Sequence, residues 1–131
     1  MIGLDTNVLV RYFAQDDEVQ SGKATNLIES LSDAEPGFIS MVTLIELVWV
    51  MQGAYKAKKD NIVHILSLLL QTKEFIVENT ETALQALAVF RDSKAGFSDC
   101  FIERTGHKYG CEYTATFDTD AAATSGMRLV K

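Results

Sequence analysis

The chain opens with Ile2-Gly3-Leu4-Asp5-Thr6-Asn7-Val8-Leu9-Val10, and the reading of this stretch decides the fold. Ile2 and Leu4 read as a short buried strand that ends in the carboxylate of Asp5. Two small polar residues follow before apolar character resumes at Val8. An Asp at the carboxyl end of a first strand sits where open α/β sheets place their ligands, in the crevice outside the strand ends. A lone carboxylate is costly to bury there unless a cation or hydrogen-bond donors compensate it. The function therefore turns on whether other carboxylates reach the same edge.

Working outward, Arg11-Tyr12-Phe13 leads to an acidic turn in which Asp16 or Asp17 is placed to cap the next helix. Ala24, Leu27, Ile28 and Leu31 then recur at helical spacing. Ser32 to Gly37 is a break, and Phe38-Ile39 reads as a second strand. Ser40 is the expected cap of a helix through Val42 and Met51. That helix is apolar on nearly every side, which implies burial in the core or against another subunit. A second apolar helix is expected over Ile62–Leu70 and a third strand over Glu74–Val77. Thr80-Glu81-Thr82 opens a helix that buries Leu84, Leu87 and Phe90 and ends at Lys94-Ala95-Gly96. Ser98 is expected to cap the following helix, which stops at Gly110. Tyr113–Phe117 reads as a strand ending at Asp118, and Met127–Val130 as a final short strand. Strands alternating with helices predict an α/β fold with a parallel, helix-covered sheet.

At 131 residues, with 47% apolar and 23% charged, the composition is that of one ordinary globular domain spanning 1–131. Neither a secretory leader nor a run of the roughly 20 apolar residues needed to span a bilayer is visible, so a cytoplasmic protein without membrane attachment is expected. Cys100 and Cys111 show neither a C-x-x-C nor a zinc spacing and read as reduced thiols. The net charge of −6 argues against a general electrostatic grip on nucleic acid. Any such activity needs metal ions or a local basic patch, and Lys56, Lys58 and Lys59 are the only dense one.

Four acids stand out. Asp5 and Asp118 each end a strand. Asp99 lies in the first turn of a helix that returns to the same edge if the crossover is right-handed. Glu46 sits inside the most apolar helix, three residues after Thr43 and on the same face. Each has a plain structural reading: an Asx turn for Asp5, a favourable helix amino end for Asp99, a turn or cap for Asp118. Together, with no cation in those segments placed to neutralise them, they point to a divalent ion held by hard oxygens, Mg²⁺ or Mn²⁺.

The motifs Asp5-Thr6-Asn7-Val8-Leu9, Thr43-x-x-Glu46, Ser98-Asp99 and Thr116-Phe117-Asp118, in this order over nearly the whole chain, resemble the PIN domain. Within that family the chain is most similar to toxin ribonucleases of the VapC type. The resemblance implies a three-layer α/β/α sandwich around a mainly parallel sheet of four to five strands. It further implies a metal-dependent endoribonuclease in which activated water cleaves RNA to 5′-phosphate and 3′-hydroxyl ends. By the same resemblance Asp5, Glu46, Asp99 and Asp118 match the metal-binding acids, Glu46 directly or through water. Thr6, Asn7, Thr43, Ser98 and Thr116 match the polar accessories. Asp120 is either a further acid near the metal or a surface turn residue. Cys100-Phe101 departs from the small or aliphatic residues usual after the third acid. A cognate antitoxin is implied as partner.

Lys56, Lys58 and Lys59 are candidates for contact with RNA phosphates. The two helices that are apolar on almost all sides predict a homodimer. The rival readings are a catalytically silent regulatory module of the same fold and a haloacid dehalogenase-like phosphatase. The latter wants a second Asp where Asn7 stands. Gly22-Lys23-Ala24 lacks both the upstream glycine and the hydroxyl residue of a phosphate-binding loop.

Overall fold

The five expected strands form, and every pairing among them is parallel. The computed structural model describes all residues, Met1–Lys131, as two compact units, Met1–Glu78 and Asn79–Lys131.

The first unit holds β1 (Ile2–Gly3), β2 (Gly37–Ile39) and β3 (Phe75–Val77) in the order β1-β2-β3. Ile2 faces Gly37 and Phe38 faces Ile76. Pairing of β1 extends beyond its ends, because the Ile2 amide donates to Pro36 at 2.8 Å and the Leu4 amide to Phe38 at 2.9 Å. The chain is thus held in line up to the residue before Asp5. Position 37 admits only glycine without disturbance: a Cβ there would lie 2.8 Å from the Cδ1 atoms of both Leu4 and Leu31.

Four helices cover this sheet: α1 (Thr6–Ala14), α2 (Glu18–Glu29), α3 (Met41–Gly53) and α4 (Lys59–Gln71). Asp17 caps α2 by accepting from the Gln20 amide, and Ser40 caps α3 by accepting from the Thr43 amide, as their positions predict. Ile39, Leu44, Leu47, Leu66 and Leu69 are wholly buried between sheet and helices. Each such side chain contributes about 1.5–3 kcal/mol relative to exposure.

Helix α1 is not among the expected elements, since Val8-Leu9-Val10 reads only as apolar character resuming after Asn7. A second correction concerns α3. Its buried side is Thr43, Leu44, Leu47, Val48 and Met51, but Val42 is 67% exposed, Trp49 is 60% exposed, and Glu46 between them is exposed too. Residues 42, 46 and 49 share one face of a helix. Glu46 therefore belongs to a solvent face and not to the core.

The second unit contains α5 (Thr80–Asp92), α6 (Phe97–Lys108), β4 (Ala115–Thr116), α7 (Thr119–Thr124) and β5 (Arg128–Leu129), with β4 paired to β5. Phe97 is 1% exposed and packs edge-to-face on Phe90 and on Phe101, with both centroid distances 5.8 Å. Such pairs add about 0.5–1.5 kcal/mol beyond area burial. Helix α6 closes in a Schellman motif: the Gly110 amide donates to His107 and the Cys111 amide to Gly106, both at 3.0 Å, with Gly110 at φ 86°. Two boundaries differ from expectation. Helix α5 ends at Asp92, and Gly96 takes the cap position of α6, so Ser98 stands inside the first turn instead of capping it.

Candidate metal centre

Asp5 follows β1 in extended backbone conformation and occupies the cap position of α1, yet its side chain makes no hydrogen bond to the helix. It is exposed, and neither oxygen is committed to the cap. Thr6, only 7% exposed, turns its hydroxyl to Glu46 and donates to Oε1 at 3.0 Å. This bond ties the end of β1 to the solvent face of α3 and leaves the second Glu46 oxygen outside it. Thr43 lies on the same helix, but its hydroxyl accepts from Ser40 at 3.1 Å and serves the cap. Asn7 is exposed and lines a cleft of about 310 Å³ with Arg11, Gln20 and Lys23.

Beside that cleft lies a network that sequence reading missed. Arg11 Nη1 donates to the Tyr55 hydroxyl and to Asp16 Oδ1, both at 3.1 Å, and Nε donates to Gln20 at 2.8 Å. The Tyr55 hydroxyl in turn donates to Asp16 Oδ2 at 2.6 Å. That hydrogen bond, with the Arg11 charge adding to it, holds the Asp16 carboxyl below its ordinary pKa. The same bond pushes the Tyr55 hydroxyl above its own. Tyr55 is 44 residues from Arg11 in sequence, and no local pattern pairs them.

Lys56 and Lys58 fall between α3 and α4, and Lys59 opens α4. Lys56 is exposed at φ 51°, Lys58 is exposed at the cap position of α4, and Lys59 is half-buried as its first residue.

In the second unit, Asp99 is the third residue of α6 and half-buried. Its Oδ2 folds back to within 3.7 Å of where a Cβ on Gly96 would stand, and the Ser98 hydroxyl lies 3.9 Å from the same point. Asp118 is exposed and caps α7. Its Oδ1 accepts from the Asp120 amide at 2.8 Å and the Ala121 amide at 3.0 Å, while its own amide donates to the Thr116 hydroxyl at 3.0 Å. The cap reading of Asp118 is thus realised, with Oδ2 left over. Asp120 is exposed in the first turn of α7.

Each unit therefore carries two of the four acids. Asp5 ends a strand of the three-stranded sheet, whereas Asp118 follows a strand of the two-stranded one, so the expected common edge belongs to neither unit alone. Within neither unit do three His, Cys, Asp or Glu side chains gather as a metal site. The donor chemistry nevertheless fits a hard cation. None of the four is held in the ion pairs of the structure, which engage Glu35, Asp16, Asp33 and Glu103. Carboxylates with oxygens to spare and no cationic partner suit Mg²⁺ or Mn²⁺.

No helix is long and apolar enough to cross a membrane. Comparison with known proteins follows the same lines. The chain is similar to a VapC ribonuclease of Aquifex aeolicus (strain VF5), at 25% identity over 115 residues that cover 87% of this chain and 84% of the relative. The family model described as PIN domain matches residues 2–127, a span that takes in all four acids and every strand but β5, and the chain belongs to the PIN domain family.

Proposed function

We propose that the protein is a metal-dependent endoribonuclease, the toxin of a toxin–antitoxin pair, built as a single PIN domain over 1–131. The observation that carries this reading is the Thr6–Glu46 hydrogen bond. It ties an exposed acid, the one charged residue of its helix, to the residue that follows the uncapped acid at the end of β1.

In this reading Asp5, Glu46, Asp99 and Asp118 hold Mg²⁺ or Mn²⁺. When bound, such an ion lowers the pKa of a water and offsets the negative charge that builds at phosphorus. The protein's own part is to position and to select. Thr6 fixes the rotamer of Glu46, so that the carboxylate presents its other oxygen. The α7 amides do the same for Asp118, whose Oδ1 is engaged and whose Oδ2 is not. Asp5 stays uncommitted to its helix and serves as the most open donor. Without a cation these acids repel a phosphodiester, so RNA binding at the acids depends on the metal. Asn7, Thr43, Ser98, Thr116 and Asp120 support this shell, and Lys56, Lys58 and Lys59 supply cations for flanking phosphates.

The relative named VapC ribonuclease supports the activity, and the resemblance to VapC-type toxins implies the antitoxin. The large apolar side chains exposed on α3, Val42 and Trp49, support a homodimer. Cys100 and Cys111 are in no disulfide, which suits a cytoplasmic setting.

The test is cleavage of RNA by the purified protein in Mg²⁺ and in EDTA, with the new ends sequenced. Cleavage in Mg²⁺ that stops in EDTA and in Asp5→Asn is the expected result. A folded protein that leaves RNA intact with either metal sinks the proposal in favour of a silent module of the same fold.

A further inference from the structure

The loop between α3 and α4 frames a cavity of about 670 Å³, within the range of about 300–1,000 Å³ typical of small-ligand sites. Its floor is apolar, formed by Phe13, Met51, Ile65 and Leu68, and its rim is polar and cationic, formed by Lys56, Lys58, Asn61 and His64. Tyr55 stands between floor and rim with its hydroxyl clamped by Arg11 and Asp16, so its ring is a fixed wall. Lys59 does not line the cavity.

An occupant must satisfy both halves. A free phosphate leaves the apolar floor wet, and a purely apolar ligand leaves two ammonium groups unanswered. A nucleotide unit of single-stranded RNA answers both. Its base lies on the floor against the Tyr55 or His64 ring, its edge meets the Asn61 amide, and its phosphate meets Lys56 and Lys58. Charge favours the same choice, because two of only twelve basic residues in a chain of net charge −6 converge on this rim. Met51 lies five residues beyond Glu46 on α3, about 7.5 Å along the axis, comparable to about one nucleotide of extended strand. We infer that this cavity is a nucleotide-binding subsite that holds a base and phosphate of the RNA strand away from the acids.

The inference rests on the ribonuclease reading for its substrate, but its test does not depend on cleavage. Binding of a short fluorescein-labelled single-stranded oligoribonucleotide is followed by anisotropy in EDTA across a salt series, for the full chain and for K56Q/K58Q. Both lysines are exposed, and a thermal melt checks that the variant folds. The expected result is weaker binding and a log–log salt slope smaller by about 1.4, the loss of two single-strand phosphate contacts. His64→Ala is expected to weaken binding about fivefold or more without changing the slope. In Mg²⁺, K56Q/K58Q is expected to raise KM and leave kcat unchanged.

Unchanged affinity and slope in K56Q/K58Q overturn the inference, even if RNA is cleaved. So does an acidic peptide that binds through these lysines while RNA affinity is unaffected. Salt-sensitive binding by a protein that never cleaves RNA upholds the subsite and overturns the nuclease.

Discussion

The two units treat their acids differently. In Met1–Glu78 the acids are joined across the fold: Thr6 links the end of β1 to Glu46 over 40 residues of sequence, and Asp5 is left uncapped. In Asn79–Lys131 Asp118 serves its own helix first, as the cap of α7, and Asp99 folds back toward Gly96 at the amino end of α6. Glu46 is held by a tertiary contact and Asp118 by local backbone amides. Loss of function and loss of stability should therefore separate at Asp5 and Asp99 and mix at Asp118.

The largest effect expected is on activity. Asp5→Asn and Asp99→Asn should each lower RNA cleavage about a thousandfold, beyond the roughly 10–100-fold loss typical of a group that only orients a ligand. Equal melting temperatures for both variants and the parent would show that neither acid is needed for folding. Substantial cleavage by either would remove that acid from the centre.

Thr6→Val tests the tertiary link. It keeps the shape and deletes the donor, so cleavage should fall about 10–100-fold while stability drops by only about 0.5–1.5 kcal/mol in a denaturant melt. A larger stability loss without an activity change would make the Thr6–Glu46 bond structural.

Asp118 is where the two roles mix. Asp118→Ala should cost about 1 kcal/mol through the lost cap as well as activity, whereas Asp118→Asn should cap nearly as well and lose activity alone. Identical stability of the two variants would deny the cap its weight.

The smallest effect concerns the Arg11–Asp16–Tyr55 network. Asp16 titrates below its ordinary range, so the stabilisation is complete above that range and is lost as pH falls through the lowered value. Tyr55 titrates above its ordinary value, so its share holds at lower pH and is lost as pH rises through the raised value. Tyr55→Phe should shift the acid unfolding midpoint upward, read by circular dichroism. An unmoved midpoint would mean that the bond contributes nothing.

Much of this was legible in the sequence. All five strands lie where short apolar runs end in turn residues, and the caps by Asp17 and Ser40 follow from residue type. The failures have physical causes. Helix α1 hides behind Val8-Leu9-Val10, because a run rich in β-branched residues favours extended backbone until tertiary packing overrides it. Glu46 was read as buried because Val42 and Trp49 carry a core composition onto a solvent face. Ser98 lost the cap of α6 to Gly96 since the helix begins two residues earlier than its hydroxyl suggests. The Arg11–Tyr55 contact and the cavity above α4 join segments far apart in the chain, and no local period encodes them.

The bare backbone at Gly37 has a consequence for evolution of this chain. Leu4 and Leu31 already occupy the room a methyl would take, and Leu4 is bonded directly to Asp5. Adding one carbon to the middle strand would force the Leu4 and Leu31 side chains to move, the first of them on the residue that precedes the acid. Gly37→Ala would thus reach the neighbourhood of Asp5 from within the core, without touching a single polar group.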